Sequence, residues 1–329
     1  MASGISCSPV TDRKALLSEF AASCGIAPDA LSPLGGDASF RRYYRAGGFI
    51  ISDSPPDTQK NREFYEIDEA LGARGIRVPK ILKADLAHGF FLQEDLGDTS
   101  FAKAARGNGA EPLYKKAIDL ACTLAASEIP GLPPFDDDFV KTEFGIFTKW
   151  WLSERHGIAL SKSDLCLLDG VLKFFQQICK TQPQVPMHRD FHSRNIMVKD
   201  GQLCLIDFQD MVRGPLCYDC ASLIFDCYVK LDAGLARRLE SRFFNEAAKA
   251  GLCGSWSFED FRHHLLGTSL QRHVKVLGIF SRLHLRDGKD GYLKDLPRVL
   301  EYCISESEEL GLSGFAAFLK RCAEAPCAR

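Results

Sequence analysis

His188-Arg189-Asp190-Phe191-His192-Ser193-Arg194-Asn195, followed by Leu203-Cys204-Leu205-Ile206-Asp207-Phe208, is the densest polar cluster in the chain and decides how the rest is read. Asp190 and Asn195 stand five residues apart, and Asp207 lies twelve further on, delivered by a strand-like apolar run. A carboxylate, an amide and a second carboxylate on adjoining loops suit one division of labour. One carboxylate orients a hydroxyl nucleophile and accepts its proton, while the other carboxylate and the amide hold a hard cation through oxygen. Magnesium takes few protein oxygens and completes its octahedron with phosphate and water, so the arrangement implies a nucleotide as well as a metal. A lone Asp or Asn is ordinarily a turn residue or a helix cap; three at this spacing behind an apolar strand are not explained that way. A rival reading uses His188-x-Asp190-x-His192 as a metal-ligand string, since on a strand those three side chains share one face. That would make the chain a metal-dependent hydrolase, but it leaves Asn195 and Asp207 without a task.

Working outward, the cluster belongs to an insert of short loops and strand-like pieces, 185–215. Helical patterns flank it at 111–127, 137–155, 162–180, 218–229, 233–250 and 260–285. The first 95 residues have another texture. Strand-like Phe40-Arg41-Arg42-Tyr43-Tyr44-Arg45 and Phe49-Ile50-Ile51 flank a Gly47-Gly48 turn, and Ser54-Pro55-Pro56 stops the second. A helix over 61–72 and strands at 78–83 and 89–93 follow. The expectation is an α+β chain with two domains, 1–95 and 96–329, and a ligand cleft between them.

The insert resembles the catalytic loop and metal-binding motif of protein kinases. The later Gly214-Pro215-x-x-Tyr218-Asp219-x-Ala221 is similar to the small-molecule branch, the aminoglycoside phosphotransferase-like kinases. Gly36-Asp37-Ala38-Ser39-Phe40-Arg41-Arg42-Tyr43, Gln271-Arg272-His273-x-Lys275-Val276-x-Gly278-Ile279-Phe280 and Arg286-Asp287-Gly288-Lys289 look like one bacterial subfamily within it. Those are the anomeric kinases that act on C1 of N-acetylmuramic acid and N-acetylglucosamine during cell-wall recycling. The resemblance spans roughly 33–300. It implies a bilobal protein-kinase-like fold, with a small β-rich lobe and a larger helical one. It also implies ATP as phosphoryl donor, magnesium as cofactor and a sugar as acceptor.

Under that resemblance Asp190 is the catalytic base and Asn195 and Asp207 are the magnesium ligands. His188 braces the loop and Asp219 fixes it by hydrogen bonding, with capping of the helix that follows as its bland reading and both roles compatible. Gly36, Asp37, Ala38 and Ser39 cover the phosphates. Gln93, Glu94 and Leu96 form the hinge that meets adenine. One departure stands out. Protein kinases carry a lysine at the end of the third strand, and here Ile50-Ile51-Ser52-Asp53 puts an aspartate there. Asp53 must point away from the phosphates or receive a cation. The phosphate contact then falls to Arg41, Arg42 or Lys60. Arg41 and Arg42 face opposite ways on a strand, so one of them looks inward. Glu66 is either that arginine's partner or part of a solvated face. The missing lysine also raises a nucleotide-binding scaffold without activity as an alternative, and the same fold serves other alcohols such as aminoglycosides or choline. For the sugar, Glu143 and Trp150 on one helix and Gln271, Arg272, His273 and Lys275 on another are the candidates; a cation such as Arg272 suits the lactyl carboxylate of N-acetylmuramic acid. Leu266, Leu270, Val274, Leu277 and Phe280 make the buried stripe of that second helix.

Composition narrows the setting. The 329 residues carry 41 Lys and Arg against 43 Asp and Glu, for a net charge of −2. That balance argues against nucleic acid as a partner. No apolar run approaches a membrane span, and no basic segment leads into an apolar one at the start, so a cytoplasmic chain is expected; a monomer is the expected assembly. Thirteen cysteines at irregular spacing read as small buried hydrophobes in a reducing compartment. Cys217 and Cys220 form the single Cys-x-x-Cys, too few ligands for structural zinc.

Overall fold

The computed structural model of the chain describes residues 13–35, 41–107 and 110–326; the expected phosphate loop, Gly36, Asp37, Ala38 and Ser39, lies outside them. Two compact units divide the chain, one running to Ala73 and over Arg77–Gly97, the other comprising Arg74–Ile76 and everything from Asp98.

The smaller unit opens with helix α1 (Arg13–Ser23), continues through strands β1 (Ser32–Leu34), β2 (Arg42–Ala46) and β3 (Phe49–Asp53) to helix α2 (Asn61–Gly72), and closes with β4 (Ile81–Asp85) and β5 (Phe90–Glu94). Among the described residues these strands make one antiparallel sheet in the order β1-β2-β3-β5-β4. The apolar run Phe90-Phe91-Leu92 explains the layering. Side chains alternate across a strand, so a run without alternation must be covered on both faces. Phe90 and Leu92 pack with Leu17, Phe20 and Ala21 of α1, whereas Phe91 meets Phe64 of α2 edge-on, with ring centroids 5.2 Å apart. The sequence reading foresaw α2 but neither α1 nor β1.

α1 also answers the question posed by Asp53. Arg13 donates from Nε to Asp53 Oδ1 at 2.7 Å and from NH1 to the His88 carbonyl at 2.7 Å, and its guanidinium lies over the Phe90 ring. The buried aspartate therefore has its cation, from a residue forty positions away. Arg41 is buried instead over Phe64, donating from Nε to Ser54 Oγ at 3.1 Å, while Arg42 and Lys60 are exposed. Among the described residues Glu66 reaches Arg62, on a solvated helix face. Arg13→Met is expected to destabilise this unit by about 1–3 kcal/mol, because it leaves a buried carboxylate without its charge-assisted bonds. Thermal unfolding checks this, and an unchanged midpoint would contradict it.

The larger unit contains helices α3 (Phe101–Ala104), α4 (Ala110–Ala125), α5 (Asp137–Ile146) and α6 (Lys162–Lys180), strands β6 (Gln184–Met187), β7 (Ile196–Lys199), β8 (Gln202–Leu205) and β9 (Val212–Pro215), then helices α7 (Cys217–Ile224), α8 (Ala233–Lys249), α9 (Phe258–Leu285), α10 (Leu296–Glu309) and α11 (Ser313–Glu324). β6 pairs with β9, and β7 with β8. Asp200 and Gly201 join the second pair with φ of 52° and 72°, as a two-residue hairpin turn requires. α9 forms the axis of the core: Leu270, Val274, Leu277 and Phe280 pack with Phe144, Phe147, Phe175 and Phe315. The residues opposite this stripe are not solvated, because Gln271, Arg272, His273 and Lys275 are buried too.

The helix expected over 137–155 changes winding. It is α-helical to Ile146 and then a π-helix from Phe147 to Arg155. A Cβ on Gly278 of α9 would come within 2.5 Å of the Ile146 carbonyl oxygen and 2.7 Å of the Phe147 nitrogen. The missing side chain lets α9 lie against that junction, which brings Glu143 of α5 to Gln271 and Lys275. The helix expected over 218–229 stops at Ile224. Cys217 and Cys220 are fully buried within it, and burial pushes both thiols well above the ordinary value.

Candidate active site

β6 delivers His188 to the loop that carries Asp190, and β7 starts immediately after Asn195. The loop is held at both ends by buried carboxylates from α7 and the segment after it. Asp219 accepts from the backbone N–H groups of His188 at 2.7 Å and Arg189 at 3.0 Å. It sits inside the first turn of α7, whose cap is Leu216, so the capping alternative falls away. Asp226, fully buried, accepts from the Ser193 N–H at 2.8 Å and the Tyr228 N–H at 2.6 Å. Sequence reading missed Asp226, although a charged residue in the apolar run Leu223-Ile224-Phe225-Asp226-Cys227 was the available signal. His188 is buried and lies 3.0 Å from the Ile206 carbonyl through Nε2, which must donate there. Ile206 N in turn donates to the Asn195 carbonyl at 3.0 Å. The loop and the Asp207 strand end are thus tied together.

Two backbone positions are unusual. Arg189 has φ of 74° and Asp207 φ of 64°, a region that non-glycine residues occupy at a cost. Fixed neighbours hold both. Arg189 pairs with Glu143 at 3.2 Å, donates to the Asp210 carbonyl and lies over the Phe139 ring. Asp207 accepts from Gln209 Nε2 at 2.7 Å and from Asn195 Nδ2 at 3.4 Å. Asn195 Nδ2 also donates to the Asp190 carbonyl at 3.2 Å. With the amide nitrogen engaged on protein, Asn195 Oδ1 and the Asp207 carboxylate form an oxygen donor set, which fits a hard cation. The metal-ligand string does not form. Residues 188–193 lie beyond the end of β6, so His188, Asp190 and His192 share no strand face. Among the described residues no three His, Cys, Asp or Glu side chains are grouped to hold an ion.

Asp190 is partly buried within a ring of positive charge. Burial opposes its ionisation, yet Lys275, His192, Arg189 and His188 together lower its carboxyl to about 2. Burial pushes His192 below the usual imidazole value, against the pull of Asp226 and Asp190. Behind Asp190 lies a buried polar hub. Glu143, 2% exposed, accepts from Gln271 Nε2 at 2.9 Å, Lys275 Nζ at 3.3 Å and Arg189. Lys275 donates further to the Tyr218 hydroxyl at 2.8 Å. Burial works against the Lys275 charge, but Glu143, Tyr218 and Asp190 more than offset it and raise its pKa.

Two expected sugar residues are not in this hub. His273 belongs to a separate buried cluster, with Nδ1 2.9 Å from Glu306 Oε2 and Nε2 2.9 Å from the Phe225 carbonyl, and its ring stacked on Tyr302. A carbonyl on one nitrogen and a carboxylate on the other require both to donate. The ring is therefore an imidazolium; against the effect of burial, Glu306 lifts its pKa to about 10. Every polar atom is used, so His273 supports the fold and does not present itself to a ligand. Trp150 is half-buried beside Lys149, while its neighbour Trp151 stacks on Phe147 in the core.

Comparison with known proteins places this geometry. The phosphotransferase enzyme family matches residues 30–252. The chain belongs to that family. An N-acetylmuramate/N-acetylglucosamine kinase of Pseudomonas aeruginosa is 33% identical to this phosphotransferase over 282 residues, covering 84% of the chain and 83% of the relative. In fold it is similar to an aminoglycoside phosphotransferase solved with gentamicin (TM-score 0.63, 11% identity, covering 91% of this chain and 97% of that one). It is likewise similar to a choline/ethanolamine kinase family protein of Mesorhizobium loti (TM-score 0.62, 14% identity, 87% and 91% covered). The kinase-like architecture expected from the catalytic loop is thereby established, with a small antiparallel sheet and a larger helical part.

Proposed function

We propose that this phosphotransferase uses ATP and magnesium to phosphorylate the anomeric hydroxyl of N-acetylmuramic acid and N-acetylglucosamine, as a cytoplasmic monomer in cell-wall recycling. The observation that carries this reading is the curated relative named for those two sugars, matched over more than four-fifths of both chains.

Asp190 is the catalytic residue in this reading. An anomeric hydroxyl is more acidic than an ordinary alcohol, so a carboxylate held near 2 serves mainly to align the oxygen for transfer, accepting its proton as charge moves to the phosphoryl group. Asn195 and Asp207 would hold magnesium, which when bound neutralises charge on the phosphate oxygens. Asp219 and His188, with Asp226, keep the loop in register. Gly36, Asp37, Ala38 and Ser39 would meet the phosphates, with Arg41 or Arg42, and Gln93, Glu94 and Leu96 the adenine. Glu143, Gln271, Arg272 and Lys275 would line the sugar side.

Incubation with γ-labelled ATP, magnesium and a sugar panel should label N-acetylmuramic acid and N-acetylglucosamine, with the label released by mild acid as expected of a glycosyl phosphate. Chelation of magnesium should abolish transfer. Label on neither sugar, or acid-stable label, would refute the reading. Transfer to choline or an aminoglycoside instead would move the assignment to another alcohol.

A further inference from the structure

The larger unit holds a buried cation, Arg272 of α9, which is 2% exposed and whose Nε and NH1 have no hydrogen-bond partner among the described residues. Gln271 beside it gives Nε2 to Glu143, but its buried Oε1 is equally unpartnered among the described residues. The Arg272 guanidinium lies 5.3 Å from the Tyr218 ring centroid, within electrostatic reach of Asp190 and Asp226 but hydrogen-bonded to neither. Buried donors ordinarily find partners, and leaving charged ones unmade is costly.

The chemistry of the ligand follows from the donor. A guanidinium presents a planar fork that matches a carboxylate in two parallel bonds, which a lysine ammonium does not. The two sugars in the relative's name differ in one respect. N-acetylmuramate is N-acetylglucosamine with a lactyl ether on C3, and that ether ends in a carboxylate. With C1 at Asp190, the C3 substituent is two ring carbons away, and Arg272 lies within electrostatic reach of Asp190.

We infer that Arg272 receives the lactyl carboxylate, with Gln271 Oε1 accepting from a neighbouring sugar hydroxyl or amide, and that Arg272 sets the preference between the two sugars. The inference rests on the sugar-kinase reading, and the test separates them. The wild-type enzyme is assayed with N-acetylmuramic acid, with its methyl ester, which removes the charge, and with N-acetylglucosamine. The free acid should exceed the ester in kcat/KM by about 10- to 100-fold, the range of a charge-assisted bond. In Arg272→Lys and Arg272→Met that ratio should collapse to within about threefold, mainly through a raised KM for the acid. Equal use of acid and ester by the wild type overturns the inference without any variant. So does an equal fall for all three sugars in both variants, which would assign Arg272 to the transferred phosphoryl group or to the loop. Wild-type transfer to none of the three overturns the sugar reading itself, and this inference with it.

Discussion

Asp190→Ala is expected to lower kcat by about 10²–10⁴-fold while the chain still folds and binds nucleotide. Asp190→Asn should lose less, because the amide oxygen can still accept from the sugar hydroxyl although it cannot take the proton. The gap between the two variants measures alignment against basicity. With its carboxyl at about 2, Asp190 stays ionised from neutrality down to the onset of acid unfolding. Its protonation therefore contributes no acid limb to kcat above about pH 4. A limb near pH 6 that disappears in Asp190→Asn would show instead that the carboxyl titrates there. Wild-type turnover in Asp190→Ala would remove the residue from the mechanism.

The loop around Asp190 was legible because its chemistry is written locally. A carboxylate, an amide and a second carboxylate fall within eighteen positions, 190 to 207, and short strands set their directions. Helices α2 and α6 were legible for the same reason; both occupy the expected ranges, 61–72 and 162–180. What stayed hidden depends on partners distant in sequence. Asp53 looked like a gap in the phosphate site until Arg13, forty residues away, supplied its cation. His273 looked available on the polar side of α9 until Glu306, thirty-three residues on, engaged it. Nothing in the periodicity of 137–155 announces a π-helix, and the junction where it begins is packed by Gly278 of another helix, distant in sequence. The burial of α9 on every side from Leu265 to Gly278 was equally invisible. Gln271, Arg272 and Lys275, expected either at the sugar or in solvent, are buried, and Glu143 draws two of them into the interior.

Glu143 is where removing one side chain should cost most in stability. Its carboxylate accepts from Gln271, Lys275 and Arg189 in the core of the larger unit, at 2% exposure. Glu143→Ala leaves the Lys275 ammonium and Arg189 guanidinium without their shared counter-charge, and the amide of Gln271 without its acceptor. Breaking a buried ion pair from one side costs about 3–5 kcal/mol, which for a unit of this size lowers the unfolding midpoint by about 6–20 °C. The pH should not rescue the variant near neutrality, since lysine and arginine stay protonated there. Removing the charge from both sides should. Glu143→Leu with Lys275→Leu replaces the pair with apolar volume, and its destabilisation should fall short of the sum of the single variants by about 0.5–3 kcal/mol. Strict additivity would mean that the two groups do not act on one another. A midpoint lowered by less than about 2 °C in Glu143→Ala would mean that the hub does not hold α5 to α9. The kinetic consequence is separate and follows from geometry: freed from Glu143, Lys275 has Asp190 as its remaining carboxylate neighbour in reach. At temperatures where Glu143→Gln remains folded, kcat should therefore fall, because the carboxylate that aligns the sugar hydroxyl is drawn into an ion pair.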